Sequence, residues 1–294
     1  MGKPRLGLVV GLVLFVACGG SKVVPDTDSG TPIDSGVPDA SSDAKKDSAP
    51  VDAAPDVGSD AATDAPADVV VDAPVDAGIS RALRFDGVDD VVNFTIPAGS
   101  PSETAFTEET WFKTTAATGM LLEVYGSGAD RSLYVKTGKV CFYVFTPSYS
   151  EICSVGTFND GNWHHAAGAL GTGGQELYVD GVSAASAPSV TASAFVAETG
   201  LRAGYGYIGP NGPLTYFAGD LDEVRLWTVK RTATEIANNR SVHINPSTSN
   251  LPGYWMFDET GSAASAADAT AGAHPGTLVG FTFNPSPWVS PGAF

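Results

Sequence analysis

Beyond residue 80 the chain consists of short β-forming runs, and the first of them alternates apolar and polar residues with the period of two that is typical of a strand with one buried face. The stretch Ala82–Phe94 shows the pattern most clearly. Leu83 and Phe85 alternate with polar neighbours, and Asp86-Gly87 then marks a tight turn, where Gly can adopt a positive φ. A second β-forming run follows over residues 91–94. We therefore predict strand, acidic turn and strand in this stretch.

Further β-forming runs follow, with turn signals between them at intervals of about 8 to 15 residues. Strands are predicted over Phe106–Lys113, Met120–Tyr125, Arg131–Lys136, Val140–Phe145, Ile152–Val155, Trp163–Leu170, Glu176–Val179, Leu201–Gly209 and Leu214–Trp227. A single helix is predicted over Thr232–Asn239, because Thr232 and Glu235 have the spacing of a capping box. The pattern predicts an all-β sandwich or jelly roll with one short helix.

The first 18 residues have the composition of an export signal. Lys3 and Arg5 precede an apolar run, Leu6–Ala17, that is too short to span a bilayer as a helix. The end of this segment, Phe15-Val16-Ala17-Cys18, resembles the lipobox of bacterial lipoproteins, although that family usually has Leu where Phe15 stands. The resemblance implies acylation of Cys18, export, and anchoring in the outer membrane on its surface or periplasmic side. The alternative is an ordinary secretory signal.

Residues 19–79 are rich in Asp, Ala, Pro and Ser and contain no aromatic residue. They include thirteen Asp but only three Lys. Such a segment buries too little apolar surface to offset the entropy of ordering, so we predict a disordered tether that spans roughly 45 Å or more. The alternative is an Asp-rich calcium tract, although the acids lack the spacing of an EF-hand loop.

The net charge of the whole chain is −17, and the sequence has no basic cluster. This charge argues against nucleic acid as a partner. Contact with a membrane is expected through the lipid anchor only, and the protein is expected to be a monomer.

Four motifs resemble those of laminin-G-like, concanavalin A-like jelly-roll domains of bacterial surface proteins. They are Ala82–Asp90 (ALRFDGVDD), Gly161–Ala167 (GNWHHAA), Leu177–Val182 (LYVDGV) and Gly219–Trp227 (GDLDEVRLW), and they occur in the order that this family has. The resemblance covers about residues 80–245 and implies two antiparallel sheets packed face to face in a jelly roll. The predicted domain is residues 80–294, because it includes the tail. Many relatives carry one structural calcium ion.

The tail, residues 251–294, resembles a segment that often precedes the first motif in these domains. Here it follows the last motif, so it either closes the same sandwich or begins a truncated second copy. Closure is the favoured interpretation, because aromatic residues such as Tyr254, Trp255 and Trp288 would otherwise be exposed.

Cys141 and Cys153 lie symmetrically about Pro147 in a predicted hairpin. A register centred on the loop places them opposite each other, within reach of a disulfide. The alternative is two free thiols. Zinc is not expected, because no second Cys or His pair has the spacing of ligands.

Acidic residues at strand ends suggest the calcium site. We predict Asp86, Asp90 and Asp222 as ligands, with Asp89 and Asp220 as alternatives, because the resemblance brings these strand ends to neighbouring edges. Calcium binds six to eight hard oxygen atoms, which turns rich in Asp and Gly provide. Asp is also common in turns without any metal.

Catalytic motifs are weak in this sequence. His164 and His165 are adjacent on a strand and therefore point to opposite faces. The segment Asp220–Glu223 has carboxylates at alternate positions, as glucanases of this sandwich class do, but it lacks the following Glu. No enzyme is predicted.

Aromatic residues around the Gly-rich loop Gly204–Gly212 provide the best candidate for ligand binding. Tyr205, Tyr207 and Tyr216 are predicted to contact sugar rings. The sequence thus favours a non-catalytic, lipid-anchored binding module of the cell envelope, with a glycan or a cell-surface protein as its partner, acting in carbohydrate binding or adhesion. The alternatives are a protein–protein assembly module and a carbohydrate-active enzyme with divergent catalytic residues.

Overall fold

The computed structural model describes residues 80–95, 103–126, 129–194, 198 and 200–294. The predicted export signal with Cys18 and the predicted tether over residues 19–79 lie outside the described residues. In the described ranges, no helix has both the length and the apolar character needed to cross a membrane.

Eighteen strands and one helix are present in these ranges. In chain order they are β1 Ala82–Asp86, β2 Val91–Phe94, β3 Phe106–Lys113, β4 Thr118–Tyr125, β5 Ala129–Lys136, β6 Lys139–Val144, β7 Ser150–Cys153, β8 Trp163–Leu170, β9 Gln175–Val179, β10 Val182–Ala187, β11 Gly200–Ala203, β12 Tyr205–Tyr207, β13 Leu214–Tyr216, β14 Ala218–Trp227, α1 Ala233–Asn239, β15 Gly253–Trp255, β16 Ser265–Ala266, β17 Gly276–Val279 and β18 Trp288–Val289.

Sixteen of these strands form two eight-stranded antiparallel sheets that pack face to face, and β12 and β13 form a separate two-stranded sheet. The first sheet has the order β10-β9-β8-β3-β14-β1-β18, with β15 also paired to β14. The second sheet has the order β16-β17-β2-β11-β4-β5-β6-β7. Apolar side chains from the inner faces of both sheets form one core between them, including Leu83, Phe112, Leu133 and Phe142. The predicted fold class, an all-β jelly-roll sandwich with one short helix, is confirmed.

The acidic turn near residue 87 connects the two sheets. β1 pairs with β14 and β18 in the first sheet, whereas β2 pairs with β11 and β17 in the second. The strand, turn and strand that the sequence predicts are present, but the two strands do not pair with each other. Leu83 and Phe85 face the core from one side, and Val92 and Phe94 face it from the other.

Helix α1 begins where the capping box predicts. Thr232 Oγ1 accepts a hydrogen bond from the backbone N of Glu235 at 3.2 Å, and the Glu235 carboxylate accepts one from the backbone N of Thr232 at 2.7 Å. Ile236 packs against Ala167 and Tyr178 on the outer face of the first sheet. The helix therefore covers a face of the sheet that points away from the main core.

Residues 251–294 contribute strands to both sheets. β15 pairs with β14 and β18 pairs with β1 in the first sheet, while β17 pairs with β2 in the second. Trp255 and Phe257 are fully buried, and Trp288 is almost fully buried, all in the main core. The tail thus supplies apolar surface to the same interior as the preceding strands.

The predicted disulfide between Cys141 and Cys153 is confirmed. The two residues are directly opposite in the β6–β7 pair, with their Cα atoms 4.0 Å apart. The bond lies on the outer face of the second sheet, because Cys141 packs with Met120 and Tyr134 rather than with the main core.

Candidate functional site

The hairpin formed by β12 and β13 lies on the outer face of the second sheet. It is a separate two-stranded sheet that contacts β4 and β5. Ile208, just beyond β12, packs into a small apolar cluster with Met120, Tyr134 and Tyr143. This packing holds the hairpin against the sheet that supports it.

Three tyrosines and one leucine share one face of this hairpin. Tyr205 is opposite Tyr216, and Tyr207 is opposite Leu214, so the period of two places all four side chains on the same side. Tyr207 and Leu214 are 39% and 44% exposed, and the other two are partly buried. We call these four residues the tyrosine surface. The three tyrosines that the sequence predicts as ligand-binding residues therefore lie together.

Gly206 occupies the other face of the hairpin. A Cβ atom at this position would lie 2.7 Å from Cδ of Glu123, which is closer than real side chains allow. The missing side chain therefore lets the hairpin backbone lie directly on the carboxylate of Glu123. The tyrosine surface consequently points away from the supporting sheet.

A series of stacked groups orders the tyrosine surface. The rings of Tyr205 and Tyr216 are stacked with their centroids 4.3 Å apart and an angle of 27° between their planes. The guanidinium carbon of Arg202 lies 4.7 Å from the ring centre of Tyr205 and 4.4 Å from that of Tyr125. Such cation–π and stacking contacts restrict the rotamers of all four side chains.

Glu123 holds both Arg202 and the hairpin. Its Oε2 accepts a hydrogen bond from Arg202 Nε at 2.7 Å, and its Oε1 accepts one from the backbone N of Tyr207 at 2.7 Å. Burial raises the pKa of this fully buried carboxyl, and the charge of Arg202 opposes the rise. Burial also raises the pKa of Tyr205. The site therefore combines exposed aromatic surface with a fixed, paired charge beneath it.

The sequence-based interpretation missed Glu123 and Arg202. A signal for Glu123 was present, because it is a single acid within the apolar run Met120–Tyr125. An acid in such a strand either points outward or has a partner. Its actual partner, Arg202, is 79 residues away in sequence, and local patterns cannot reveal that pairing.

The turn between β1 and β2 brings three acids together. Asp86, Asp89 and Asp90 each offer a carboxylate oxygen, and these oxygens lie within 4.8 Å of one another. Asp90 Oδ2 accepts a hydrogen bond from the backbone N of Asp86 at 2.8 Å. Asp90 Oδ1 is buried and has no hydrogen-bond partner among the described residues. Burial raises the pKa of Asp90 to about 6.

The three carboxylates suit calcium in two respects, the type of ligand atom that they offer and the short distances between those atoms. Hard carboxylate oxygens are the ligands that Ca²⁺ prefers, and the unpaired Asp90 Oδ1 is available to a cation. Asp86 Oδ1 already accepts hydrogen bonds from the backbone N of Val88 and of Asp89, at 2.7 and 3.4 Å, which leaves its second oxygen as the donor to an ion.

Asp222 does not belong to this cluster. The register places Asp86 opposite Ala218, so Asp222 lies four residues further along β14, about 13 Å away at ~3.3 Å per residue. Asp222 Oδ2 accepts a hydrogen bond from the backbone N of Ala293 at 2.7 Å, and Oδ1 accepts one from the backbone N of Glu223 at 2.9 Å. Asp222 is therefore not a ligand of the same ion as Asp86 and Asp90. The alternative ligand, Asp220, is paired with Arg84 at 2.7 Å.

The carboxylates of the Asp220–Glu223 segment are all engaged. The register of β14 shifts between Asp222 and Arg225, and Glu223 has a φ of +53°. Glu223 accepts hydrogen bonds from Arg225 and Tyr254 and lies 3.0 Å from His243 Nδ1. Burial alone would raise the pKa of Glu223, but these partners outweigh it and lower that pKa.

His164 and His165 point to opposite faces of β8. His164 lies between the carboxylates of Asp160 and Asp180, at 3.1 and 2.9 Å. His165 is buried beside Glu109 at 3.5 Å, and burial lowers its pKa to about 4. The two rings therefore do not converge on one ion.

The fold is a sandwich of two antiparallel sheets, and a family model matches it. The family model Laminin_G_3, described as the concanavalin A-like lectin/glucanases superfamily, matches residues 86–237, which is more than half of the chain. The chain belongs to this family. No curated protein matches the sequence.

Several solved structures are similar. A "putative carbohydrate binding protein" from Bacteroides ovatus matches with a TM-score of 0.56 and 20% identity, over 70% of this chain and 59% of that protein. The chain thus spans about three fifths of the length of that protein. At this identity the match shows a shared fold.

Two weaker matches have TM-scores below one half. Domains LG4-5 of the mouse laminin alpha1 chain match with a TM-score of 0.41 and 22% identity, over 50% of this chain and 41% of that one. Domain 4 of AbnA, a GH43 extracellular arabinanase from Geobacillus stearothermophilus in complex with arabinotriose, matches with a TM-score of 0.43 and 17% identity, over 53% of this chain and 75% of that one.

Proposed function

We propose that the protein is a non-catalytic binding module of the cell envelope that binds a glycan through the tyrosine surface. The observation that carries the proposal is the stacked pair of Tyr205 and Tyr216 beside the exposed ring of Tyr207. Arg202 and Tyr216 cover the ring of Tyr205, so the rings that would stack on the apolar faces of a sugar are the exposed ring of Tyr207 and the face of Tyr216 turned away from Tyr205. Because the stack fixes these rings, they would bind with little loss of side-chain entropy.

The engaged carboxylates of β14 support a non-catalytic role. Hydrolysis by a retaining glycosidase requires two carboxyl groups about 5–5.5 Å apart, both open to the sugar. Asp222 and Glu223 are 2% exposed, and each accepts hydrogen bonds from the protein itself. A substrate that reached them would have to displace residues of the tail.

Lipid anchoring completes the proposal. The segment that ends at Cys18 resembles a lipobox, and the acidic segment over residues 19–79 has the composition of a tether. Together they would hold the sandwich at a distance from an outer membrane. Incorporation of a labelled fatty acid in the native host, compared with its loss in Cys18→Ala, tests this part of the proposal.

A glycan array probed with the full-length chain tests the main proposal. We expect binding to at least one glycan, and we expect Tyr205→Ala together with Tyr216→Ala to weaken it roughly tenfold, since each aromatic contact contributes about 0.5–1.5 kcal/mol. Tyr149→Ala is a matched control, because Tyr149 is 48% exposed and lies in the loop between β6 and β7. If the Tyr205→Ala, Tyr216→Ala double variant bound the glycan as tightly as the Tyr149→Ala control and the wild type, the tyrosine surface would be excluded as the binding site.

Adhesion to a protein is the second candidate function. The exposed Leu214 beside Tyr207 favours it, because a patch of apolar and aromatic side chains also suits a protein interface. An array without any glycan signal, combined with binding to host surface proteins that the double variant loses, would support adhesion. Release of reducing sugar from polysaccharides would contradict both candidates and indicate an enzyme.

A further inference from the structure

The loop that joins β12 to β13 contains a tight turn with Pro210 and Asn211 at its centre. The backbone N of Gly212 donates a hydrogen bond to the backbone O of Gly209 at 3.2 Å, which closes a turn of four residues. Asn211 has a φ of +58°, in the left-handed region. Proline at the second position and a positive φ at the third are the pattern of a type II turn.

This geometry restricts which residues fit at the last two positions of the turn. A positive φ favours Gly, Asn or Asp at position 211, because these residues tolerate the left-handed region. At position 212, an added Cβ atom would overlap with the backbone O of Ile208, so only glycine fits. The turn therefore favours a pair such as Asn-Gly, and Asn211-Gly212 is the single Asn-Gly pair in the sequence.

An Asn-Gly pair is chemically labile, because glycine has no side chain to obstruct attack by its backbone nitrogen on the asparagine amide. Asn211 is exposed, and its side-chain amide makes no hydrogen bond within the described ranges. The N–H of Gly212 is held by one hydrogen bond, whose length of 3.2 Å is at the long end of the normal range. Opening of this bond frees the attacking nitrogen.

The reaction needs no partner other than water. The backbone N of Gly212 forms a bond to Cγ of Asn211, and the bond from Cγ to the side-chain nitrogen breaks. That nitrogen leaves as ammonia, with the proton that the Gly212 amide gives up. Water then opens the resulting cyclic imide at one of its two carbonyl carbons. The products carry aspartate or isoaspartate at position 211, and each has one more negative charge than the original chain.

Both products alter the end of the hairpin that carries the tyrosine surface. Tyr207 and Leu214 are the last pair before the loop of residues 208–213. Isoaspartate adds one backbone atom to this loop, because the chain then runs through the side-chain carbons. The new carboxylate also lies two residues from Gly209, where an added Cβ would be 2.5 Å from Glu151 Oε1, and like charges repel.

We propose that Asn211 is a site of spontaneous deamidation, and that this modification loosens the β12–β13 hairpin and weakens binding at the tyrosine surface as the protein ages. The modification and its effect on the hairpin are independent of the proposed function, whereas the effect on glycan binding rests on that function.

Peptide mapping of the full-length chain tests the modification. The protein is incubated at mildly acidic and at mildly alkaline pH, then digested with trypsin, with the digest of unincubated protein as the starting point. In the tryptic peptide 203–225, Asn211 is the only asparagine, whereas the peptide 241–294 has three, none of them followed by glycine. Mass spectrometry then measures the conversion of amide to acid in each peptide.

We expect acid to accumulate in peptide 203–225 and not in peptide 241–294. Accumulation should be faster at alkaline pH, since the attacking nitrogen must lose its proton. Asn211→Gly is the matched control, because glycine keeps the positive φ but has no side-chain amide, and its peptide should stay unchanged. If the wild-type peptide 203–225 gained no more acid than peptide 241–294, the inference would be overturned.

Hydrogen exchange measures the effect on the hairpin without any glycan. The backbone N–H of Tyr207 donates to Glu123, and we expect it to exchange faster in incubated wild type than in incubated Asn211→Gly. Asn211→Asp, which supplies the charge alone, should show a smaller increase, and peptides from β8 in the first sheet should keep their protection. Unchanged exchange at Tyr207 after conversion of Asn211 would overturn the effect on the hairpin. Neither measurement depends on whether the tyrosine surface binds a glycan, so failure here is distinct from failure of the proposed function.

Discussion

Gly206 lies directly above Glu123, so close that an added Cβ would come within 2.7 Å of the carboxylate carbon. The two residues are far apart in sequence, on the hairpin and on the sheet beneath it. Their contact sets the height of the hairpin, and the backbone N of the next residue, Tyr207, donates to the same carboxylate. The absence of one side chain thus positions the tyrosine surface.

Gly206→Ala should therefore lift the hairpin and disturb the stack of Tyr205 on Tyr216. Glu123 cannot easily move away, because Arg202 holds its carboxylate. We expect glycan affinity to fall by roughly tenfold, which is about 1.4 kcal/mol, while the melting temperature falls only slightly. Calorimetric titration with a glycan found on the array measures this change.

Gly156→Ala is the control for this substitution. A Cβ at Gly156 would meet no atom closer than 3.6 Å, so this variant should bind like the wild type. Unchanged affinity in Gly206→Ala would show that the hairpin position does not control binding.

Glu108 should make stability depend on pH. It faces the main core from β3, is fully buried, and neither carboxylate oxygen has a hydrogen-bond partner among the described residues. Burial raises its pKa to about 8, from an ordinary value near 4.5. The folded state therefore keeps the proton that the unfolded state loses, so this residue makes stability fall as the pH rises from about 4.5 to about 8.

Glu108→Gln should remove this part of the pH dependence. The variant should be more stable than the wild type at pH 8, and the difference should shrink towards pH 5. Melting temperatures of both proteins across this range test the expectation. Glu235→Gln, which preserves an acceptor at N3 of the helix, should keep the slope of the wild type. If the difference in melting temperature between Glu108→Gln and the wild type stayed constant across this pH range, the raised pKa of Glu108 would be contradicted.

The disulfide should stabilise the β6–β7 hairpin. The bond joins residues 12 apart in sequence, and closure of such a loop restricts the unfolded chain by at most about 3 kcal/mol. Replacing both cysteines by serine should lower the free energy of unfolding by up to this amount in urea titrations. Reduction of the wild type with dithiothreitol should reproduce the loss. A variant as stable as the oxidised protein would show that the sheet alone holds these strands.

Calcium should raise the melting temperature through the acids of the β1–β2 turn. We expect EDTA to lower the melting temperature of protein saturated with calcium, and Asp90→Asn to remove this response, since Asp90 Oδ1 is the unpaired buried donor. Asp222→Asn should keep the response, because Asp222 lies elsewhere on β14. Equal melting temperatures with calcium and with EDTA would exclude the site.

Local sequence alone determined many of the strands, the helix start and the cysteine pair, but it did not predict the strands of the tail and it merged β11 with β12 and β13 with β14. The alternation around Leu83 and Phe85, the capping box of Thr232 and Glu235, and the symmetry of Cys141 and Cys153 about their loop all involve near neighbours in the chain. Such short-range patterns depend on the period of a strand, on the spacing of a helical turn and on the register of a hairpin, which nearby residues specify.

Only the tertiary structure decided which strands pair and which side chains meet. It placed β1 and β2 in different sheets, separated Asp222 from Asp86, and brought Glu123 together with Arg202 and Gly206. Strand order in a sandwich depends on contacts between segments that are distant in sequence, and many such pairings satisfy the same alternation. The tyrosine surface depends on that order, because it combines residues from separate strands, whereas the three acids of the β1–β2 turn are near neighbours in the chain.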